Sequence, residues 1–259
     1  MIKFPQHKGA VATVGLESNN MNNIILQHWN GDLPSWASVA RQTMENYAQA
    51  IGCDYELVTG HPVGKQHGPW SQKLCHLDEK YDTYDKVLML DMDTIATRKN
   101  ANVFDRPEVG VIHERAMMGP HRARTPKGAP GLYNRGELVF FGNFIMLKRD
   151  QRLALREHLD WNLFEKEIID HYCGDEIIMH YLLDKSGILK GKPYEEICMR
   201  CGGTTIDNVY FRESGTYDKL FCNLPDVGHT DPDGNATFVH FCSSRKNNLE
   251  SFVSQHNIL

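Results

Sequence analysis

The chain has 259 residues, 41% of them hydrophobic and 24% charged, an ordinary globular composition long enough to bury one sizeable core. Its formal net charge of −5 argues against nucleic acid as a partner. No apolar run reaches the roughly 18 residues needed to cross a bilayer, and Met1 to Lys8 lacks the apolar stretch of a secretory signal, so a soluble, cytoplasmic protein is expected.

In chain order, Ala10 to Val14 (AVATV) reads as a short buried strand ending at Gly15, and the asparagine-rich stretch Glu17 to Asn23 as a loop or helix start. Ser35 can cap a helix whose apolar positions Trp36, Val39, Ala40, Tyr47, Ala48 and Ile51 share one face, with Gly52 as the stop. Tyr55 to Thr59 is a second strand. Trp70, Leu74, Leu77 and Tyr81 mark the next helix, and Lys86 to Leu90 (KVLML) is apolar enough to be a central third strand. This alternation predicts a mostly parallel central sheet flanked by helices, with right-handed crossovers. Val109 to His113 and Leu138 to Leu147 read as further strands, separated by a loop from Glu114 to Gly136 rich in Gly, Pro, Arg and His. Helical stretches follow around 150–170 and 175–185, and then a loop-rich region with one clear strand at Thr237 to Phe241. No segment is a convincing linker, so a single domain over 1–259 is expected.

Seven scattered cysteines without an export signal fit reduced thiols. Cys198 and Cys201 form a CxxC that Cys222, His229 or Cys242 could complete as a zinc site, but no second CxxC or HxxxH follows. Asn235 fits a glycosylation sequon, which means nothing without a secretory route.

Asp91-Met92-Asp93 directly follows KVLML. Residues two apart in an extended segment share a side, so both carboxylates converge while Met92 turns away. Ligands of open α/β sheets bind beyond the carboxyl ends of the strands, where this pair sits. Two hard oxygen donors there suit Mg²⁺ or Mn²⁺. A carboxylate and a phosphate about 4 Å apart repel by roughly 4 kcal/mol at an effective dielectric near 20, and a divalent ion between them reverses the sign. The plain alternative is a pair of solvated turn aspartates.

The segment from Tyr84 to Thr94 (YDKVLMLDMDT) resembles the YDxVLxLDxD signature of GT-A glycosyltransferases, most closely the retaining glycogenin-like and related galactosyl- and mannosyltransferase families. The resemblance implies the GT-A fold: α/β, Rossmann-like in its N-terminal half, with about 1–95 as the nucleotide-binding half and 96–259 as the donor-sugar and acceptor half. It implies metal ligation by Asp93, and metal or ribose contact by Asp91. His240 to Lys246 (HFCSSRK) is similar to the family's H-x-x-G-x-x-K, with Ser243 in place of glycine. That similarity makes His240 the third metal ligand and Lys246 a diphosphate contact, with Arg245 as a neighbouring cation. Lys73, in the first turn of the helix before the DxD strand, matches a position where the family has a Lys or Arg contacting the donor. Asn143 resembles the family's donor-contacting asparagine, although Ile145 stands where a glycine is usual. Gly174-Asp175-Glu176 resembles the family's GDQ, implying sugar hydroxyl contacts for Asp175 and a place facing the anomeric carbon for Glu176. A carboxylate there could stabilise positive charge or act as nucleophile; alternatively Asp175 and Glu176 only support a helix start. Topology puts the stretch after the first strand (Glu17, Asn19, Asn20, Asn22) near the nucleobase without a set role for any one of them, and Thr13 is counted among the donor contacts. The matching motifs run in order over roughly 8–180 and again at 237–246.

The implied reaction is metal-dependent transfer of a hexosyl group from a nucleotide-diphosphate sugar, a UDP-sugar, to a glycan, glycoprotein or small hydroxyl acceptor, with retention. Mn²⁺ or Mg²⁺ is the implied cofactor, and further glycosyltransferase modules are compatible partners. The competing readings are a nucleotidyltransferase that makes nucleotide sugars, which would normally carry a Gly-rich N-terminal loop, and a non-catalytic sugar-nucleotide or glycan-binding module on the same fold.

Overall fold

The computed structural model describes residues 22–97, 102–105, 110–114, 138–164, 166–170, 174–188, 198–202, 208–210, 219–223, 237–241 and 243–259. The expected strand at Ala10–Val14 with Thr13, the loop from 115 to 136, and Asn235 lie outside them, and of Arg245, Cys198 and Cys201 only the backbone is described.

The strand feeding the first helix is Asn23–Trp29 (β1), a segment not anticipated from the sequence. Its run Asn23 to Leu26 is buried on both faces, so it lacks the alternation that marks a half-exposed strand. Helix α1, Ser35–Ile51, starts one residue earlier than a Ser35 cap would give, with Pro34 at the N-cap. It buries Ala37, Ala40, Met44, Tyr47 and Ala48, a stripe rotated from the expected one, because its small alanines let the helix lie close to the sheet while Trp36, Val39 and Ile51 stay half-buried. Gly52 ends it in the left-handed region at φ 71°, and the Cys53 N–H returns to the Ala48 carbonyl. Strand β2 is Asp54–Thr59 and β3 is Lys86–Leu90. Between them the expected helix is two 3₁₀ segments, Trp70–Leu77 and Glu79–Tyr81, broken at Asp78, which is extended and caps the second through Lys80 N. Leu74, Leu77 and Tyr81 are buried as expected, whereas Trp70 is 43% exposed.

Short β4, Thr94–Ala96, follows, then β5, Gly110–Glu114, and the long β6, Leu138–Lys148. Helices α2 (Arg149–Arg156), α3 (Lys166–Ile169) and α4 (Gly174–Lys185) come next. The region expected to be loop-rich contains β7 (Cys198–Gly202), β8 (Asn208–Tyr210) and β9 (Lys219–Asn223) before β10 (Phe238–His240) and the C-terminal helix α5 (Leu249–Gln255). Among the described residues, ten strands form a sheet in the order β2-β1-β3-β6-β5-β7-β8-β9-β10-β4. β1 pairs in parallel with β2 and β3, giving the Rossmann-like half, and β6 enters antiparallel to β3. The chain is therefore a mixed α/β fold with helices flanking a central sheet, as expected. No helix among the described residues is long and apolar enough to cross a membrane.

Both faces of β3 are covered. Val87 and Met89 face a core built with Leu74, Tyr81, Leu155 and α4, while Leu88 and Leu90 face α1 through Met44 and Tyr47. A third cluster joins Met92, Ile95, Val239 and Phe241 to Ala37, Ala40 and helix α5. Arg152 on α2 is fully buried, and its guanidinium donates to the carbonyls of Leu147, Tyr81 and Tyr84 at 2.9, 2.9 and 2.6 Å. It thereby ties the turn that launches β3 to the end of β6. Arg152→Met removes three charge-assisted hydrogen bonds to these carbonyls and is expected to lower unfolding free energy by about 3 kcal/mol, measurable by urea denaturation.

Candidate active site

The carboxyl end of β3 turns at once. Thr94 N–H donates to the Asp91 carbonyl at 3.0 Å, so residues 91 to 94 form a tight turn rather than the extended segment expected from the spacing. The turn brings the two carboxylates together and sends Met92 into the third core cluster. Gln27 of β1, fully buried, holds it in place: its amide nitrogen donates to the carbonyls of Asp91 and Thr94 at 3.0 and 3.1 Å, while its oxygen accepts from the Tyr55 hydroxyl at 3.0 Å.

β10 arrives antiparallel to β4, with Phe238 opposite Ala96, Val239 opposite Ile95 and His240 opposite Thr94. Beyond the strand, Phe241 N–H donates to the Asp93 carbonyl at 2.8 Å. This register sets the His240 imidazole between the aspartates, its Nε2 at 3.1 Å from Asp93 Oδ1 and 3.5 Å from Asp91 Oδ2. One ligand atom from each of Asp91, Asp93 and His240 lies within 4.8 Å of the others. On the far side of the ring, Nδ1 is 3.3 Å from the Asn143 amide nitrogen. Asn143 is buried, and its backbone carbonyl accepts from Asp91 N–H at 3.3 Å because β6 runs antiparallel beside β3.

The residues present fit a small divalent cation. Metal–ligand bonds of about 2.1 Å at right angles separate adjacent donor atoms by about 3.0 Å, close to the 3.1 and 3.5 Å found here. Two carboxylates and an imidazole are an O, O, N donor set suited to Mn²⁺ or Mg²⁺.

Lys73, from the first turn of the Trp70–Leu77 segment, reaches the same place. Its Nζ donates to Asp91 Oδ1 and to the Gly142 carbonyl at 2.6 and 3.0 Å and pairs with Asp175 Oδ2 at 2.6 Å. Two of the three ammonium protons are thus hydrogen-bonded, and the contact with Asp175 is an ion pair. Burial by itself would lower the Lys73 pKa, but Asp175 and Asp91 override it and keep the lysine firmly charged. Burial likewise opposes ionisation of Asp91, yet Lys73 and His240 hold its carboxyl well below the usual carboxylate range. For Asp175 burial wins, and its pKa is raised. Glu176, 6% exposed at the start of α4, accepts from Gly142 N–H at 3.2 Å. Lys246 approaches from the C-terminal segment, 3.0 Å from Asp93 Oδ2 and 5.3 Å above the Trp36 ring.

These groups border an open cleft of about 320 Å³ lined by His28, Trp29 and Asn30 at the end of β1, by Trp36, Pro69 and Trp70, and by Lys73, Asp91, Met92, Asp93 and Lys246. Three of the chain's four tryptophans therefore face one cleft, giving it flat apolar surface beside its charges. Of the residues singled out from the sequence, Asp91, Asp93, His240, Lys73, Lys246, Asn143, Asp175 and Glu176 form one connected cluster; Lys73, Asp91, Asp93 and Lys246 line the cleft, with His240 and Asn143 buried behind the aspartates and Asp175 and Glu176 behind Lys73 and Gly142. Thr13 lies outside the described residues, and so does the Arg245 side chain. Sequence reasoning missed Gln27, Gly142 and the cleft residues His28, Asn30 and Trp70. Only Trp70, at the end of the turn-forming His67-Gly68-Pro69 stretch, carried a visible signal, as a large aromatic next to a helix start.

No family model matches the chain, and no curated protein matches it. Solved structures similar to it include glycosyltransferases. One is a glycosyltransferase involved in glycosylation of the major capsid of the virus PBCV-1, 16% identical, covering 89% of this chain and 98% of that one at a TM-score of 0.43. Another is an active-site mutant of LgtC, 13% identical, covering 90% and 95% at 0.45. A third is a Drosophila β1,4-galactosyltransferase 7 mutant in complex with manganese, UDP-Gal and xylobiose, 15% identical, covering 64% and 62% at 0.37.

Two outcomes follow from the supporting geometry. A Cβ at position 142 would lie 3.0 Å from Asp175 Cγ and 3.1 Å from Glu176 Cγ, so Gly142→Ala should push the start of α4 away from Lys73 and cost about 1–3 kcal/mol of stability in chemical denaturation. His76 is fully buried, and burial, opposed by the hydrogen bond of its Nδ1 to the Lys73 carbonyl at 2.7 Å, holds its pKa down to about 4 from 6.5. Because the unfolded chain then binds the extra proton, the stability is intact above pH 6.5 and is lost as pH falls from 6.5 towards 4. The loss is on the order of 3 kcal/mol, and His76→Gln should flatten that part of a stability-versus-pH curve.

Proposed function

We propose that this chain is a metal-dependent glycosyltransferase, taking a hexosyl group from a nucleotide-diphosphate sugar, a UDP-sugar, to a hydroxyl acceptor with retention of anomeric configuration. The observation that carries the reading is the meeting of Asp91, Asp93 and His240 at the carboxyl edge of the parallel strands, next to a cleft with cationic and aromatic walls. The ordered resemblance of YDKVLMLDMDT and HFCSSRK to the retaining families supports the reaction class, and retention rests on that resemblance. A single domain over 1–259 is part of the proposal.

Asp91, Asp93 and His240 would hold Mn²⁺ or Mg²⁺, which when bound supplies Lewis-acid neutralisation of the leaving diphosphate. Lys246 uses one proton on Asp93 and has others to give to a phosphate oxygen. Lys73 keeps Asp91 and Asp175 in place, and its charge is felt by the diphosphate without direct contact. Asn143 orients the His240 ring with its side-chain amide turned so that the oxygen accepts from Nδ1–H, which leaves the Nε2 lone pair for the metal. The resemblance assigns Asp175 and Glu176 to the sugar end of the donor; from behind Lys73 and Gly142 their negative charge would offset the positive charge that grows on the ring as the bond to the diphosphate breaks. The aromatic cleft residues, with His28 and Asn30, suit the flat face of a base.

In a thermal-shift panel, a UDP-sugar at 100 times its Kd should stabilise the protein by about 2.7 kcal/mol, several degrees in Tm, only with Mn²⁺ or Mg²⁺ present. Asp93→Ala should abolish the shift and the slow metal-dependent hydrolysis of the donor. Equal stabilisation in EDTA would sink the proposal, and stabilisation without hydrolysis or transfer would make the chain a binding module.

A further inference from the structure

Both aspartates of the turn are held by a lysine on one oxygen and turned towards the imidazole with the other. Asp91 gives Oδ1 to Lys73 at 2.6 Å and directs Oδ2 to His240 Nε2. Asp93 gives Oδ2 to Lys246 at 3.0 Å and directs Oδ1 to the same nitrogen. Neither lysine is a loose surface cation. Lys73 has a side chain 12% exposed and is fixed from behind by Asp175 and the Gly142 carbonyl. Lys246 sits above the Trp36 ring, which packs edge-on against Trp29 at 5.3 Å between ring centroids.

We infer that Lys73 and Lys246 act as positioning residues that restrict each aspartate to one metal-facing oxygen, and that this makes the site select small six-coordinate cations over Ca²⁺. The inference rests on the reading of Asp91, Asp93 and His240 as a metal site. A calcium ion takes six to eight oxygens and commonly reaches that number by gripping a carboxylate through both oxygens. Here the second oxygen of each carboxylate is already paired with an ammonium, so among the described residues the site offers three donor atoms, one of them nitrogen. Mg²⁺ and Mn²⁺ tolerate that set, because they bind few protein ligands and complete an octahedron with water or phosphate oxygens.

The test uses the whole chain and reads metal binding directly. Free Mn²⁺ is followed by electron paramagnetic resonance while Mg²⁺ or Ca²⁺ competes, for the wild type, Lys246→Met and Lys246→Arg. Removing a nearby positive charge strengthens binding of every divalent ion, so the informative quantity is the ratio of Ca²⁺ to Mn²⁺ dissociation constants. That ratio should be at least about tenfold in the wild type, fall several-fold in Lys246→Met, where Asp93 is free to use both oxygens, and be kept in Lys246→Arg, where a donor still occupies Oδ2. Lys246 is chosen because it is part-exposed, and folding of the variants is confirmed by circular dichroism. If Lys246→Met changes both constants by the same factor, the inference is wrong while the metal site stands. If the wild type binds no Mn²⁺, the inference falls together with the proposed function.

Discussion

The antiparallel pairing of β4 with β10 is the contact on which the site depends. Strand β4 is only three residues long and begins directly after Asp93, so whatever lies beside it is delivered to the aspartates. His240 is opposite Thr94, and the Phe241 N–H closes on the Asp93 carbonyl, which fixes the imidazole's height above the turn. A slip of one residue in this ladder would send the imidazole to the other face of the sheet. The ladder is anchored by packing: Ile95, Val239 and Phe241 are fully buried with Met92 against α1 and α5. The chemistry at the end of β3 is thus set by hydrophobic burial more than 140 residues further along the chain.

Around that contact the charges are nearly balanced. Two aspartates meet two lysines, and Asp175 shares Lys73 with Asp91. Bringing carboxylates this close is costly without compensation, and the ammonium groups provide it before any ligand arrives. The site is therefore formed by the fold and does not have to be assembled by what it binds, a condition that favours catalysis by fixed electrostatic groups.

Much of this was legible in the sequence, for identifiable reasons. KVLML is continuous apolar chain ending in two acids, and such a run can hardly be anything but a central strand opening into a polar edge. The helix ending at Gly52 was equally plain, because 3.6-residue periodicity and a left-handed stop coincide. The family resemblance pointed to His240, Lys246, Lys73, Asn143 and the Asp175-Glu176 pair, and these side chains do meet. What stayed hidden depended on three dimensions. β1 has no alternation, and its flanking asparagines read as a loop. The strands β7 to β9 are short, in a stretch whose local pattern is weak. The convergence of Asp91 and Asp93 was expected for the wrong reason, since a turn and not an extended segment produces it. Lys73 was expected to face a donor, but its ion pair with Asp175 at the start of α4 has no local signal.

Gln27 illustrates how little freedom such a buried polar link leaves. Two carbonyls need an NH₂ group and the Tyr55 hydroxyl finds an acceptor, so the amide can be oriented in only one way. Glutamate would face the two turn carbonyls with no proton to offer when ionised, methionine would offer neither half of the exchange, and asparagine would fall a methylene short. Position 27 therefore works as a spelling constraint: a distant chain that builds the same acidic turn against the same middle strand should carry glutamine there, even where the residues around it share no recognisable likeness.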